Sequence, residues 1–106
     1  MTVTEVKEQD VLQMALETFG PEAQTLMVFE EMSELQKELC KHARGKHNWE
    51  SIADEIADVE IMLEQMKILH GCADEVKRHR SEKLMRLYNR VMSVRDPEYH
   101  DLGVNL

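Results

Sequence analysis

Residues 49–70 read WESIADEIADVEIMLEQMKILH. Ile52, Ile56, Val59, Leu63 and Met66 recur at spacings of three and four, the rhythm of one helical face. No Gly or Pro interrupts the run. Asn48 stands where an N-cap belongs, and Gly71 suits the C-terminal cap. The spacing therefore predicts a helix from about 49 to 70. Two acids, Glu55 and Asp58, flank its apolar stripe, with Met62 beside them.

Working outward, residues 44–48 (RGKHN) read as a loop, and a second helix is expected from about 22 to 43. At about 1.5 Å per residue both helices are roughly 33 Å long. So short a loop lays them side by side and antiparallel. The second helix carries EEMSE at 30–34, and the third carries DEIAD at 54–58, the same pattern of acids. The two clusters lie at similar distances from the loop, so they face each other. On a helical wheel Glu31, Glu34 and Glu38 share a face with Met27, Val28 and Leu35.

Carboxylates turned toward an apolar seam are costly. An isolated ion in a poorly polarisable interior takes up a proton or a partner. Several acids together also repel one another. No base lies within either cluster. A divalent cation resolves both problems, and hard oxygen ligands select Mg²⁺ or Mn²⁺. A di-iron bundle needs Glu-x-x-His pairs. The nearest approach here is Glu38 with His42, four residues apart, and no second His matches it.

The rest of the chain extends the helical pattern. Residues 6–19 have a helical rhythm that Gly20-Pro21 stops, with Pro21 in the first turn of the next helix. A fourth helix is expected from 73 to 92. The tail, 93–106, carries Asp96-Pro97 and Gly103 and is expected to be irregular or loosely docked. The expected fold is all-α, a four-helix antiparallel bundle over residues 1–92 followed by that tail. With 106 residues the core is modest, so a partner subunit helps to complete it.

Charge and composition narrow the function classes. The formal net charge of -8 argues against a nucleic-acid polymer as partner. No apolar run approaches membrane-spanning length, and no signal-peptide shape opens the chain, so a cytoplasmic location is expected. Cys40 and Cys72 form no metal or redox spacing and read as buried or half-buried thiols. The first 70 residues hold 15 acids against 6 bases, and residues 71–106 hold 6 against 7. An acidic body and a mildly basic end can build two sides of one site. In the basic end His79, Lys83, Arg86 and Arg90 form one helical stripe, suited to phosphates or to a solvated face. Trp49 reads as a staple of the helix start, an interface residue or a ring that stacks on a base. Tyr88 and Asn89 either help at the site or complete the fourth helix. No Gly-rich phosphate loop occurs.

Glu30, Glu31 and Glu34 (EExxE) followed by Glu55 and Asp58 (ExxD) resemble the signature of the all-α nucleoside triphosphate pyrophosphohydrolases, the MazG-like superfamily. The resemblance spans roughly residues 6–92 and includes the runs GPEAQTLMVFEEMSELQKELCKHAR and NWESIADEIADVEIMLEQMKI. It implies cleavage of a nucleoside triphosphate between its α and β phosphates, giving a monophosphate and pyrophosphate. It implies Mg²⁺ held by Glu31, Glu34, Glu55 and Asp58, and Glu30 as the group that orients or deprotonates the attacking water. Lys83, with Arg86 and Arg90, becomes the expected phosphate-binding set. A homodimer or homotetramer is expected, because relatives complete their sites by pairing subunits. The alternative is a non-catalytic oligomerisation or interaction module whose acids are a regulatory or vestigial metal site.

Overall fold

The computed structural model describes residues 7–101. They form four helices, α1 (Glu8–Phe19), α2 (Pro21–Ala43), α3 (Trp49–His70) and α4 (Ala73–Arg95), with no strand among the described residues. No helix there is long and apolar enough to cross a membrane. The expected start of the first helix at residue 6 lies outside the described residues. The second begins at Pro21, one residue early, and the third has the expected bounds. The fourth runs three residues past the expected end, to the residue before Asp96-Pro97. The chain forms two compact units, one ending at Gly71 and the other beginning at Cys72.

In the first unit α1 packs against both α2 and α3, which pack against each other. Gly20 makes the first corner. Its N–H donates to Leu16 O (3.0 Å) to close α1, and its carbonyl accepts from Gln24 N (3.1 Å) to open α2. Its backbone lies at φ 90°, ψ 154°, a region that side chains other than hydrogen rarely enter. A Cβ there meets nothing within 4 Å, so the cost of adding one is backbone strain alone. Gly20→Ala is expected to lose about 1–3 kcal/mol, a fall in Tm of roughly 5–10 °C by circular dichroism. Gly71, at φ 60° and ψ 35°, supplies the left-handed cap of α3.

Asn48 occupies the N-cap position of α3, but its side chain does not cap the helix. It reaches back instead, and its Nδ2 donates to the backbone carbonyl of Glu38 (2.9 Å) and to Glu38 Oε1 (3.1 Å). The loop is thereby tied to the last turns of α2. At the other end Gln24 Nε2 donates to Gln65 Oε1 at 2.7 Å. Bonds from 24 to 65 and from 48 to 38 run in opposite chain directions, so α2 and α3 are antiparallel, as expected.

The apolar core is thin. Leu12, Leu16, Val28 and Met62 are the buried apolar side chains among the described residues. Phe19, Leu26 and Phe29 remain 62–65% exposed, and Trp49 is 70% exposed. On α3 the expected stripe is turned. Ile56 and Leu63 are exposed, while Met62 and Gln65 are buried. A core this small covers only a narrow part of the helix, and the apolar residues exceed the positions that it can take.

In the second unit the residues after α4 dock rather than trail. Asp96 turns the chain, accepting from Tyr99 N at its carbonyl (2.9 Å) and from Glu98 N at Oδ1 (3.0 Å). Tyr99 then donates its hydroxyl to Asn89 Oδ1 (2.6 Å) and sets its ring edge-on to Tyr88, centroids 6.1 Å apart. Asn89 is buried and donates in turn to Asp101 Oδ1 (2.8 Å). Residues 102–106, including Gly103, lie outside the described residues.

Candidate metal centre

The α2–α3 seam is built in polar layers separated by apolar ones. On α2, Gln24, Glu31 and Glu38 stand seven residues apart, close to two helical turns, so they share one line. On α3, Asp58 lies seven before Gln65, and Glu55 seven after Asn48. Val28 and Met62 fill the interval between the glutamine pair and the acids. The acids therefore form the middle polar layer of three.

In that layer one carboxylate oxygen each from Glu31, Glu55 and Asp58 falls within 4.8 Å of the others. All three residues are half-buried. Glu55 Oε2 is shut off from solvent and has no hydrogen-bond partner among the described residues. Burial, and then the charges of Asp58 and Glu55, push the Glu31 carboxyl above its ordinary value. A hydrogen bond with Asp58 and the charge of Glu30 act the same way. Burial also raises Glu55, followed by the charges of Asp58, Asp54, Glu34 and Glu38. The layer thus attracts positive charge, as a proton or as a cation. The residues fit a hard divalent ion. Three oxygens on one octahedral Mg²⁺, each at about 2.1 Å, lie about 3.0 Å apart when cis, with at most one pair trans at about 4.2 Å. The side chains would close in from the 4.8 Å limit to hold it.

The other expected site residues lie around this layer. Glu34 is exposed rather than on the buried line. Three residues past Glu31 it is rotated by about 60° from the seam, yet its charge still reaches Glu55. Glu30 is exposed beside Glu31. Glu38 is buried but engaged elsewhere, its Oε2 paired with Lys41 Nζ at 2.9 Å and its Oε1 bonded by Asn48. The Lys41 bond first, and then the Asn48 bond, hold its carboxyl below the ordinary range. His42 faces Lys46 O at 3.3 Å instead of Glu38, which removes the pair that a di-iron reading requires. Cys40 is exposed, against expectation, and Cys72 is half-buried; both are free.

On α4, Lys83, Arg86 and Arg90 are exposed and form no ion pair among the described residues. Arg78 and His79 share Glu82, at 3.6 and 4.0 Å. Asn89 serves the turn after α4 as described above. In the first unit an apolar groove of about 530 Å³, lined by Pro21, Thr25, Leu26 and Leu69 among others, opens where α2 starts and α3 ends. None of the acids of the middle layer lines it.

Reading the layer from the sequence missed Gln24, Gln65 and the inward turn of Asn48. The available signal was the seven-residue spacing from Gln24 through Glu31 to Glu38.

The raised carboxyls predict a pH signature. A group whose native pKa is raised stabilises the fold below its unfolded pKa, and that contribution is lost as pH rises through the native value. For Glu31 and Glu55 the loss begins near the ordinary glutamate value of 4.5. Glu38, with a lowered pKa, contributes above that value, and its contribution is lost as pH falls through the native one. A divalent cation held by Glu31, Glu55 and Asp58 would take the place of the proton in the acid layer. Stabilisation by Mg²⁺ is therefore expected to be larger at about pH 8 than at about pH 5 in paired thermal melts. An Mg²⁺ effect independent of pH contradicts the assignment.

Compared with models of known protein families, with curated proteins and with solved structures, the chain shows no match.

Proposed function

We propose that this protein is a Mg²⁺-dependent nucleoside triphosphate pyrophosphohydrolase, cutting between the α and β phosphates to release a nucleoside monophosphate and pyrophosphate. The observation that carries the reading is the buried, unpartnered Glu55 oxygen inside a layer of three converging carboxylates. The EExxE and ExxD resemblance supplies the reaction class. In this reading Glu31, Glu55 and Asp58 hold the ion, with Glu34 as a further donor at the solvent edge. Held by these acids, Mg²⁺ would supply charge neutralisation for the phosphates and activation of water near neutral pH. Glu30 accepts the proton of the attacking water or orients it. Lys83, Arg86 and Arg90 on α4, one point charge and two planar forks, are of the chemistry that suits phosphate.

The MazG-like fold completed by a second or further copy belongs to the same proposal. The thin core and the exposed Phe19, Leu26 and Phe29 support it. Those side chains also favour the second reading, an interaction module without catalysis. Pyrophosphate release separates the two. Common and damaged nucleoside triphosphates are incubated with Mg²⁺, Mn²⁺ or chelator, beside a Glu34→Gln variant. The hydrolase releases pyrophosphate from at least one of them, with metal only, and more slowly in the variant. The interaction module releases none under any condition.

A further inference from the structure

Two hydrogen-bonded layers bracket the acids along the α2–α3 seam. Gln24 and Gln65 lie on one side, 8% and 4% exposed, joined at 2.7 Å. Glu38 and Asn48 lie on the other, 9% and 7% exposed, joined at 3.1 Å with a second bond to the Glu38 backbone. Stepping seven residues forward from Gln24 reaches Glu31, and stepping seven back from Gln65 reaches Asp58. Stepping seven back from Glu38 reaches Glu31 again, and seven forward from Asn48 reaches Glu55. The bonded pairs and the acid layer thus share one antiparallel register.

We propose that Gln24, Gln65 and Asn48 are positioning residues, whose cross-helix bonds set the axial register that brings Glu31, Glu55 and Asp58 together. This rests on the metal reading given above. Apolar side chains alone specify register weakly, because a helix can slide and repack similar surfaces. A single buried polar contact penalises every slipped arrangement that leaves it unpaired, as in coiled coils. The magnitudes make the device necessary here. A slip of one turn moves Glu31 by about 5.4 Å past Asp58. The three oxygens now fall within 4.8 Å of one another. The mutual repulsion of the acids favours such a slip whenever no cation is bound, and the thin apolar core opposes it little. A polar layer at each end of the acid layer holds the helices against it.

The test separates register from stability. The paired variant Gln24→Leu with Gln65→Leu removes the layer without stranding an amide. Mn²⁺ affinity is read by electron paramagnetic resonance, and Tm by circular dichroism. Positioning predicts Mn²⁺ affinity lower by roughly ten- to hundredfold, the range for outer partners of a metal site, with Tm unchanged or raised. A residue that only stabilises the fold moves Tm and leaves the affinity of the folded protein alone, and unchanged affinity overturns the proposal. If the paired variant does not fold, Gln24→Asn keeps the amide but shortens its reach, and the same two outcomes apply. Failure of the unaltered chain to bind Mn²⁺ removes the metal reading itself, and this inference with it. That result is distinct from equal binding by the unaltered chain and the variant.

Discussion

A Glu55→Gln variant is expected to lose divalent-ion affinity by about a hundredfold or more, while its metal-free form melts at a higher temperature than the unaltered chain. The two effects have one cause. Glu55 is held above the ordinary carboxylate range by burial and by the neighbouring charges of Asp58, Asp54, Glu34 and Glu38. Without a cation its charge is unfavourable, and a neutral amide of the same shape relieves it. With a cation the same charge is a ligand, and its loss exceeds the roughly hundredfold that even outer partners of a site can carry. Titration calorimetry with Mn²⁺ and thermal melts in chelator read the two quantities. A variant that melts lower in chelator and binds Mn²⁺ as before contradicts this account of the layer.

The second large effect is structural. Asn48→Asp replaces a donor by a carboxylate facing Glu38. The bond to the Glu38 backbone carbonyl at 2.9 Å is lost, and so is the bond to Glu38 Oε1 at 3.1 Å. Losing the two Asn48 bonds costs about 1–3 kcal/mol in all, although the Glu38 carbonyl keeps its helical N–H donor. Like charge between the two carboxylates adds to the loss. A fall in Tm of roughly 10 °C is expected near neutral pH. It shrinks as acidification protonates the new carboxyl, a recovery that Asn48→Leu does not show. Melts of both variants across pH check this. A pH-independent loss in Asn48→Asp argues that the Glu38 carboxylate is not the group opposed.

Much of this arrangement was legible in the sequence because its signals are local. Asn48 and Gly71 bound α3 correctly, since an N-cap position and a left-handed glycine depend on neighbours in the chain. The five-residue connection and the matched acids placed α2 against α3. The rotation of α3 was not legible. Ile56 and Leu63 are at least as apolar as Met62 and far more so than Gln65, the two residues of α3 that became buried, and only the narrow contact with α1 and α2 decides between them. Asn48 is a related case, because its position is local but its partner, Glu38, belongs to another helix. Among the acids, Glu31, Glu55 and Asp58 converge, whereas Glu34 stays exposed, a difference of one step on the helical wheel. Asn89 could not be read from α4 alone, since Tyr99 and Asp101 meet it only once the chain has turned at Asp96.

Anomalous diffraction from crystals grown with Mn²⁺ tests the central claim most directly. The account predicts a peak within bonding distance of oxygens from Glu31, Glu55 and Asp58, including the Glu55 oxygen that lacks a partner here. A fully Mn²⁺-equilibrated crystal with these three side chains ordered and no peak among them contradicts it.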